Sequence, residues 1–176
     1  MTTEGVSPDH LGYELLSAIN RTYPRFPGAV LGRAWLAVAQ ALAGAHRPAR
    51  IAYAFYGMTR SAAHDRDVPA YVVASDSALL ILVTARFSTE TPSLPESFDL
   101  TEVPLASVGL DVRKGLFLDR VTISYREPTA QTPHQLALRR VAHRPVLEGL
   151  RAMINDRRSG SSRGEGPLLT GSRGED

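Results

Sequence analysis

Two groups of residues have the types and spacing to do chemistry. The run His64-Asp65-Arg66-Asp67 puts an imidazole and two carboxylates, donor types of a divalent-cation site, within four residues. Ligands to one ion converge from more than one element, and His10, His46, His134 and His143 are scattered along the chain. The run therefore reads as a solvated stretch, and no metal is expected. The second group is "DVRKGLFLDRV", Asp111–Val121, where Leu116, Phe117 and Leu118 follow Gly115 and are bracketed by Arg113, Lys114 and Arg120. Glycine accommodates the positive φ of a tight turn. Apolar side chains at such a tip could enter a bilayer surface or a partner's groove while the cations meet headgroups or carboxylates. The alternative, and the expected arrangement, is that one or two of them turn back onto the core; Asp119 also weakens the cationic case.

Nucleophilic and redox chemistry find no residues. The chain has no cysteine, which removes thiolate nucleophiles, disulfides and cysteine-ligated metals together. There is no GxSxG elbow, no HExxH and no P-loop lysine, and the glycine-rich C-terminus follows no strand and lacks Gly-Lys. No catalytic residue, enzyme activity or cofactor is expected.

Charge narrows the partners. The formal net charge is +2, and from Ala49 to Arg140 basic and acidic residues are equal in number. A nucleic-acid binder concentrates cations on one face, so nucleic acid is not expected as a partner. Lys114 is the sole lysine beside nineteen arginines; with the abundant alanine, this reads as coding bias. The start, "MTTEGVSPDH", has neither the basic nor the apolar region of a secretion signal, so a cytoplasmic protein is expected.

These residues need elements to position them. Ser7-Pro8-Asp9 has the form of a helix start, and Leu11, Leu15 and Ile19 follow as a short apolar stripe. "RTYPRFPG", Arg21–Gly28, with two prolines, reads as a connector. From Ala29 to Ala43 the chain favours helix, with Leu31, Trp35, Val38 and Leu42 on one face and Gly44 as its stop. This run is too short, and carries Arg33 and Gln40, for a membrane span.

After Pro48 the period changes to two. Strands are predicted around Ile51–Phe55, at Tyr71–Ala74 and Ala78–Val83 either side of Ser75-Asp76-Ser77, at Phe98–Val103, and at 107–113, 120–126 and 135–139, with a polar loop at Ser88–Ser97. Arg144–Arg157 is an amphipathic helix carrying Leu147, Leu150 and Ile154. The expected organisation is a helical extension over 1–47, one domain over 48–157 and a disordered tail over 158–176.

About seven strands closed by one helix resembles the bacterial pleckstrin-homology (PH) like domains. The likeness rests on "YVVASDSALLILV" from Tyr71, "VPLASVGLDVRKGLFLDRVTISY" from Val103 and the closing helix. It implies an α+β fold: an open β-barrel of two nearly orthogonal antiparallel sheets, capped by the C-terminal helix. In phosphoinositide-binding members, basic residues of the loop between the first two strands hold phosphates. Here that loop is "TRSAAHDRDVP", Thr59–Pro69, which supplies Arg60, His64 and Arg66, offset by Asp65 and Asp67.

The two halves of the sheet differ in their faces. The later strands alternate wet and dry, whereas Ile51–Met58 is apolar on both faces and Ala78–Val83 is a continuous apolar run. Continuous runs mean burial on both sides. The stripe of Leu31, Trp35, Val38 and Leu42 is expected to cover that outer face, in one chain or swapped between two.

The function expected is a non-catalytic binding or scaffold module for protein–protein interaction or self-association, its partner a protein or a second copy. The alternative is a peripheral membrane or anionic-headgroup binder at the inner membrane face, using Arg60, His64, Arg66, Arg113, Lys114 and Arg120. A second alternative is a small enzyme or ligand carrier using the barrel interior.

Overall fold

A computed structural model describes residues 8–23, 29–45, 50–61, 66–114, 120–126, 133–138 and 144–161. Two helices come first, α1 (Pro8–Thr22) and α2 (Ala29–Gly44). Seven strands follow: β1 (Ile51–Ser61), β2 (Arg66–Ser75), β3 (Ala78–Phe87), β4 (Pro95–Pro104), β5 (Gly109–Arg113), β6 (Arg120–Tyr125) and β7 (His134–Leu138). A helix, α3 (Arg144–Ser161), closes the described chain.

The strands form one antiparallel sheet in the order β4-β3-β2-β1-β7-β6-β5, open between β4 and β5. Where two nearly orthogonal sheets were expected, the strands run as one continuous sheet, because β1 belongs to both halves. It pairs with β2 along its length and with β7 at Gly57, Met58 and Thr59. Gly57 makes that crossing possible: a Cβ there would stand 2.7 Å from the Ala137 carbonyl oxygen and from Leu136 Cδ2. A side chain would push the two halves apart.

Burial explains the two kinds of strand. In β2 and β3, adjacent residues are buried in succession, while β6 alternates. Inside the curved sheet, Phe55, Val72, Ile81 and Ile123 pack with Leu150 and Ile154 of α3. On its outside, Tyr71, Val73, Leu80 and Leu82 pack with Leu11, Leu15 and Ile19 of α1 and Trp35, Val38 and Leu42 of α2. Each large side chain so buried contributes about 1.5–3 kcal/mol relative to exposure. Simple alternation would put Ile51 on the same face as Tyr53 and Phe55. A register irregularity between Ile51 and Tyr53 moves it to the outer cluster, as an extra residue in one strand inverts the sides.

Several boundaries differ from the sequence reading. The expected loop from Thr59 to Pro69 is mostly strand: Arg60 pairs with Asp67 and Ser61 with Arg66, leaving 62–65 outside the described residues. β3 runs on to Phe87, and β4 begins at Pro95, inside the expected polar loop. α3 continues through Arg158 to Ser161, beyond the expected end at Arg157. Tertiary hydrogen bonds account for the extension: Arg158 Nε donates to the Ala106 carbonyl at 3.2 Å, its Nη2 to the Val108 carbonyl, and Arg157 Nε to the Asp76 carbonyl at 3.0 Å. Those bonds give the last turns tertiary partners that helix propensity alone does not supply. The expected tail from 162 lies outside the described residues.

Candidate functional site

β1 has an edge to protect. Among the described residues no strand pairs with its far side from Ile51 to Tyr56, where β7 has not yet begun to pair. The last residues of α1 and the one after it occupy that edge instead. Arg21 Nη2 donates to the Ile51 and Ala52 carbonyls at 3.1 Å each. The Ala54 N–H donates to Thr22 Oγ1 at 3.5 Å, and the Tyr56 N–H to the Tyr23 hydroxyl at 3.0 Å. Three consecutive side chains thus do what a neighbouring strand would do for backbone groups that cannot be left unpaired in a dry setting. Burial pushes the Tyr23 phenol up to about 12, against the lowering effect of the Tyr56 N–H, with Tyr56 raising it further by proximity. The sequence reading of Arg21–Gly28 as a plain connector missed this, since Arg-Thr-Tyr before a proline carries no local sign of a strand to be bonded some thirty residues later.

The helices then cover the face. Trp35 meets Tyr71 edge-on with centroids 5.0 Å apart, and Tyr71 meets Phe98 and Tyr56 at 5.7 and 5.6 Å. Such pairs contribute beyond their buried area. Tyr71 is held well above the ordinary phenol range, first by burial and then by Tyr56. Trp35 Nε1 is buried with no hydrogen-bond partner among the described residues, and the ring packs edge-on against Tyr71. Trp35, Val38 and Leu42 all lie in this cluster; Leu31 lies in α2, its side chain outside the described ones.

The layer's outer surface is different. Among the described residues the large apolar side chains left exposed are Tyr13 (72%) and Leu16 (54%) on α1, Leu36 (59%) on α2 and Leu100 (38%) on β4, a strand that α2 contacts. All four lie on the helical side. Sequence reasoning did not single them out, although Tyr13 and Leu16 fall off the Leu11-Leu15-Ile19 stripe and Leu36 falls off that of α2.

The cations expected to contact an anion fall into two groups at opposite ends of the sheet, not one. Thr59 is level with Leu136 and Ile123, and Gly57 with Leu138 and Val121, so Arg60 lies beyond one end of that ladder and Arg120 beyond the other. Arg66 accompanies Arg60, its guanidinium carbon 5.5 Å from the Phe87 ring centroid. At the far end Arg113 pairs directly with Arg120, next to exposed Lys114, and Arg113 Nε is bonded to Asp111 at 2.9 Å. His64 and the tip residues Leu116, Phe117 and Leu118 lie outside the described residues.

An open groove of about 790 Å³ lies between α3 and the β2–β3 turn, lined by Ala52, Asp76, Met153, Asp156, Arg157 and Gly160. The inner face of the sheet is filled by side chains. Among the described residues no three histidine or acidic side chains converge as metal ligands, and no helix is long and apolar enough to cross a membrane.

No family model matches this chain, and no curated protein does. The solved structures it is similar to include the following two. One is the hSac2 domain from human phosphoinositide phosphatase Sac2, with 14% identity and a TM-score of 0.40, covering 79% of this chain and 94% of that one. The other is a structure of the Vav1 exchange factor described for the structural role of its PH and C1 domains, with 17% identity and a TM-score of 0.34, covering 85% of this chain and 34% of that one. Scores this low leave function to be read from the chain's own residues.

Proposed function

We propose that this chain is a non-catalytic, cytoplasmic binding module, a PH-like domain that works by contact with a protein, docked on the outer surface of the α1–α2 layer. The PH-like part is supported by the sequence likeness to the bacterial group, by the strand order about a shared β1, and by α3 packed on the inner face. The observation that carries the reading is the exposure of Tyr13, Leu16 and Leu36 on two helices whose other faces are fully used. Apolar side chains of that size gathered on one side of a protein mark contact surfaces. The absence of catalytic sequence motifs supports the non-catalytic part.

The test is site-specific photo-crosslinking in cells, with benzoylphenylalanine replacing Leu36 in one chain and Lys114 in another. Protein adducts from position 36 and none from position 114 are expected. Lipid adducts from position 114, with nothing from position 36, would overturn the proposal in favour of headgroup binding. That second reading has one observation of its own, the direct pairing of Arg113 with Arg120 beside Lys114, which concentrates cations at one end of the β5–β6 hairpin. Its signature is pelleting with anionic vesicles that weakens as salt is raised.

A further inference from the structure

The outer surface of the helical layer is poor in charge, and that restricts its partner. Among the exposed and half-buried side chains described on α1 and α2, the basic and acidic ones besides the imidazole of His10 are Arg21, Arg33 and Glu14. Arg21 is already engaged by the Ile51 and Ala52 carbonyls and by Ser17. The remainder of this face is carried by Tyr13, Leu16 and Leu36 together with neutral polar residues and glycine. Other parts of the described surface are charged: β4 exposes Glu96, Asp99 and Glu102, and the β5–β6 hairpin exposes Arg113, Lys114 and Arg120.

A charged partner would find its complement on those strands. A lipid surface or a nucleic acid needs a cluster of cations, and among the described residues of this face the exposed arginine away from the β1 edge is Arg33 alone. Contact between two copies about a two-fold axis has another requirement: each face meets itself, so a face of one sign repels and a nearly neutral apolar one does not. Size fits as well. Helices of 15 and 16 residues side by side present a face of roughly 23 by 20 Å, about 460 Å² in projection and more once its ridges are followed, within a factor of two of the about 800 Å² that each partner of a stable dimer buries.

We propose that the outer face of α1 and α2 is a homodimer interface, on which a second copy of this chain docks through Tyr13, Leu16 and Leu36 to build a four-helix contact. The inference rests on the contact reading above and names its partner. It places no demand on the buried stripe, whose members Trp35, Val38 and Leu42 are consumed within one chain.

The experiment is mass by light scattering over a range of concentrations, on the full chain and on Leu16→Asp/Leu36→Asp. Both positions are more than half exposed, so the variant keeps its fold, which circular dichroism checks. The full chain is expected at twice 19.1 kDa, and the variant as a single chain whose association is weakened about a hundredfold or more. A full chain that stays single at every concentration overturns the proposal, and so does a dimer indifferent to the two aspartates. Should the variant lose its fold, Tyr13→Ser, more exposed and uncharged, replaces it with the same expected direction. The photo-crosslink at position 36 separates this inference from the reading beneath it. An adduct with a different protein from a monomeric chain defeats the second copy alone, and no adduct from a monomeric chain defeats both.

Discussion

The two sides of the first four strands are finished by different means. Inside, the covering elements are the rest of the sheet and α3, drawn from the last third of the described chain. Outside, the cover is α1 and α2, drawn from its beginning. The inner cover leaves no large apolar side chain exposed on β5–β7 or α3 among the described residues; the outer cover leaves three on its own helices. Both clusters are dry and close-packed, so the difference lies not in how well each is buried but in what each presents beyond itself. One side ends in an ordinary charged surface, and the other passes its apolar character outward by one more layer.

The largest effect that could break this comparison comes from truncating the centre of each cluster. Trp35→Ala removes the ring packed on Tyr71 and is expected to cost about 3–5 kcal/mol, and Leu150→Ala, its counterpart on α3, about 2–5 kcal/mol. Urea unfolding followed by circular dichroism reads both. Were Trp35→Ala to unfold at the native midpoint while Leu150→Ala did not, the helices would be an appendage and the two covers unequal.

A smaller effect sharpens the outer side through pH. Tyr23 keeps its proton to about pH 12 in the fold, whereas in the unfolded chain it ionises near 10. The raised value means its stabilising contribution is complete below pH 10 and is lost as pH climbs from there to about 12. The loss for Tyr23 amounts to at most about 3 kcal/mol, and Tyr71 is displaced in the same direction. Melting temperature should therefore fall over that interval and fall less in Tyr71→Phe; equal slopes would show that the outer aromatics are wetter than their packing implies.

The smallest effect concerns the β1 edge. Tyr23→Phe leaves the Tyr56 N–H without its acceptor and is expected to cost about 1–2 kcal/mol at neutral pH. Hydrogen exchange should rise at Tyr56 and stay unchanged at Val121 on the inner side. Equal protection at Tyr56 in both proteins would mean that the tyrosine is not what seals the strand.

Much of this was legible in the residues. The continuous run at Ala78–Val83 and the doubled apolar faces of β1 pointed to a sheet buried on both sides, because a wet face would have interrupted them with polar residues. Trp35, Val38 and Leu42 lie where their spacing put them. What was hidden depends on distance along the chain. Arg21, Thr22 and Tyr23 act on a strand thirty or more residues away, so nothing beside them announces the task. The extra turn of α3 is held by carbonyls of residues 76, 106 and 108. The separation of Arg60 from Arg120 follows from strand register, which two stretches of sequence cannot state apart from the turn between them. For the exposed Tyr13, Leu16 and Leu36 the signal was present but subordinate, since a helix is read by its regular stripe and these residues stand off it.

The tie between α1 and β1 bears on the order in which the chain is made. Every residue of the outer cluster falls between Leu11 and Phe98, while the inner cluster waits for Ile154. As the polypeptide leaves the ribosome, the helices and the first four strands are therefore complete while β5, β6, β7 and α3 are still to be synthesised. The side of the sheet that needs only early residues can close first. The nascent chain would then meet its later half with one greasy face already sealed and one bare edge already bonded, leaving the concave side as the surface for the remaining strands to find.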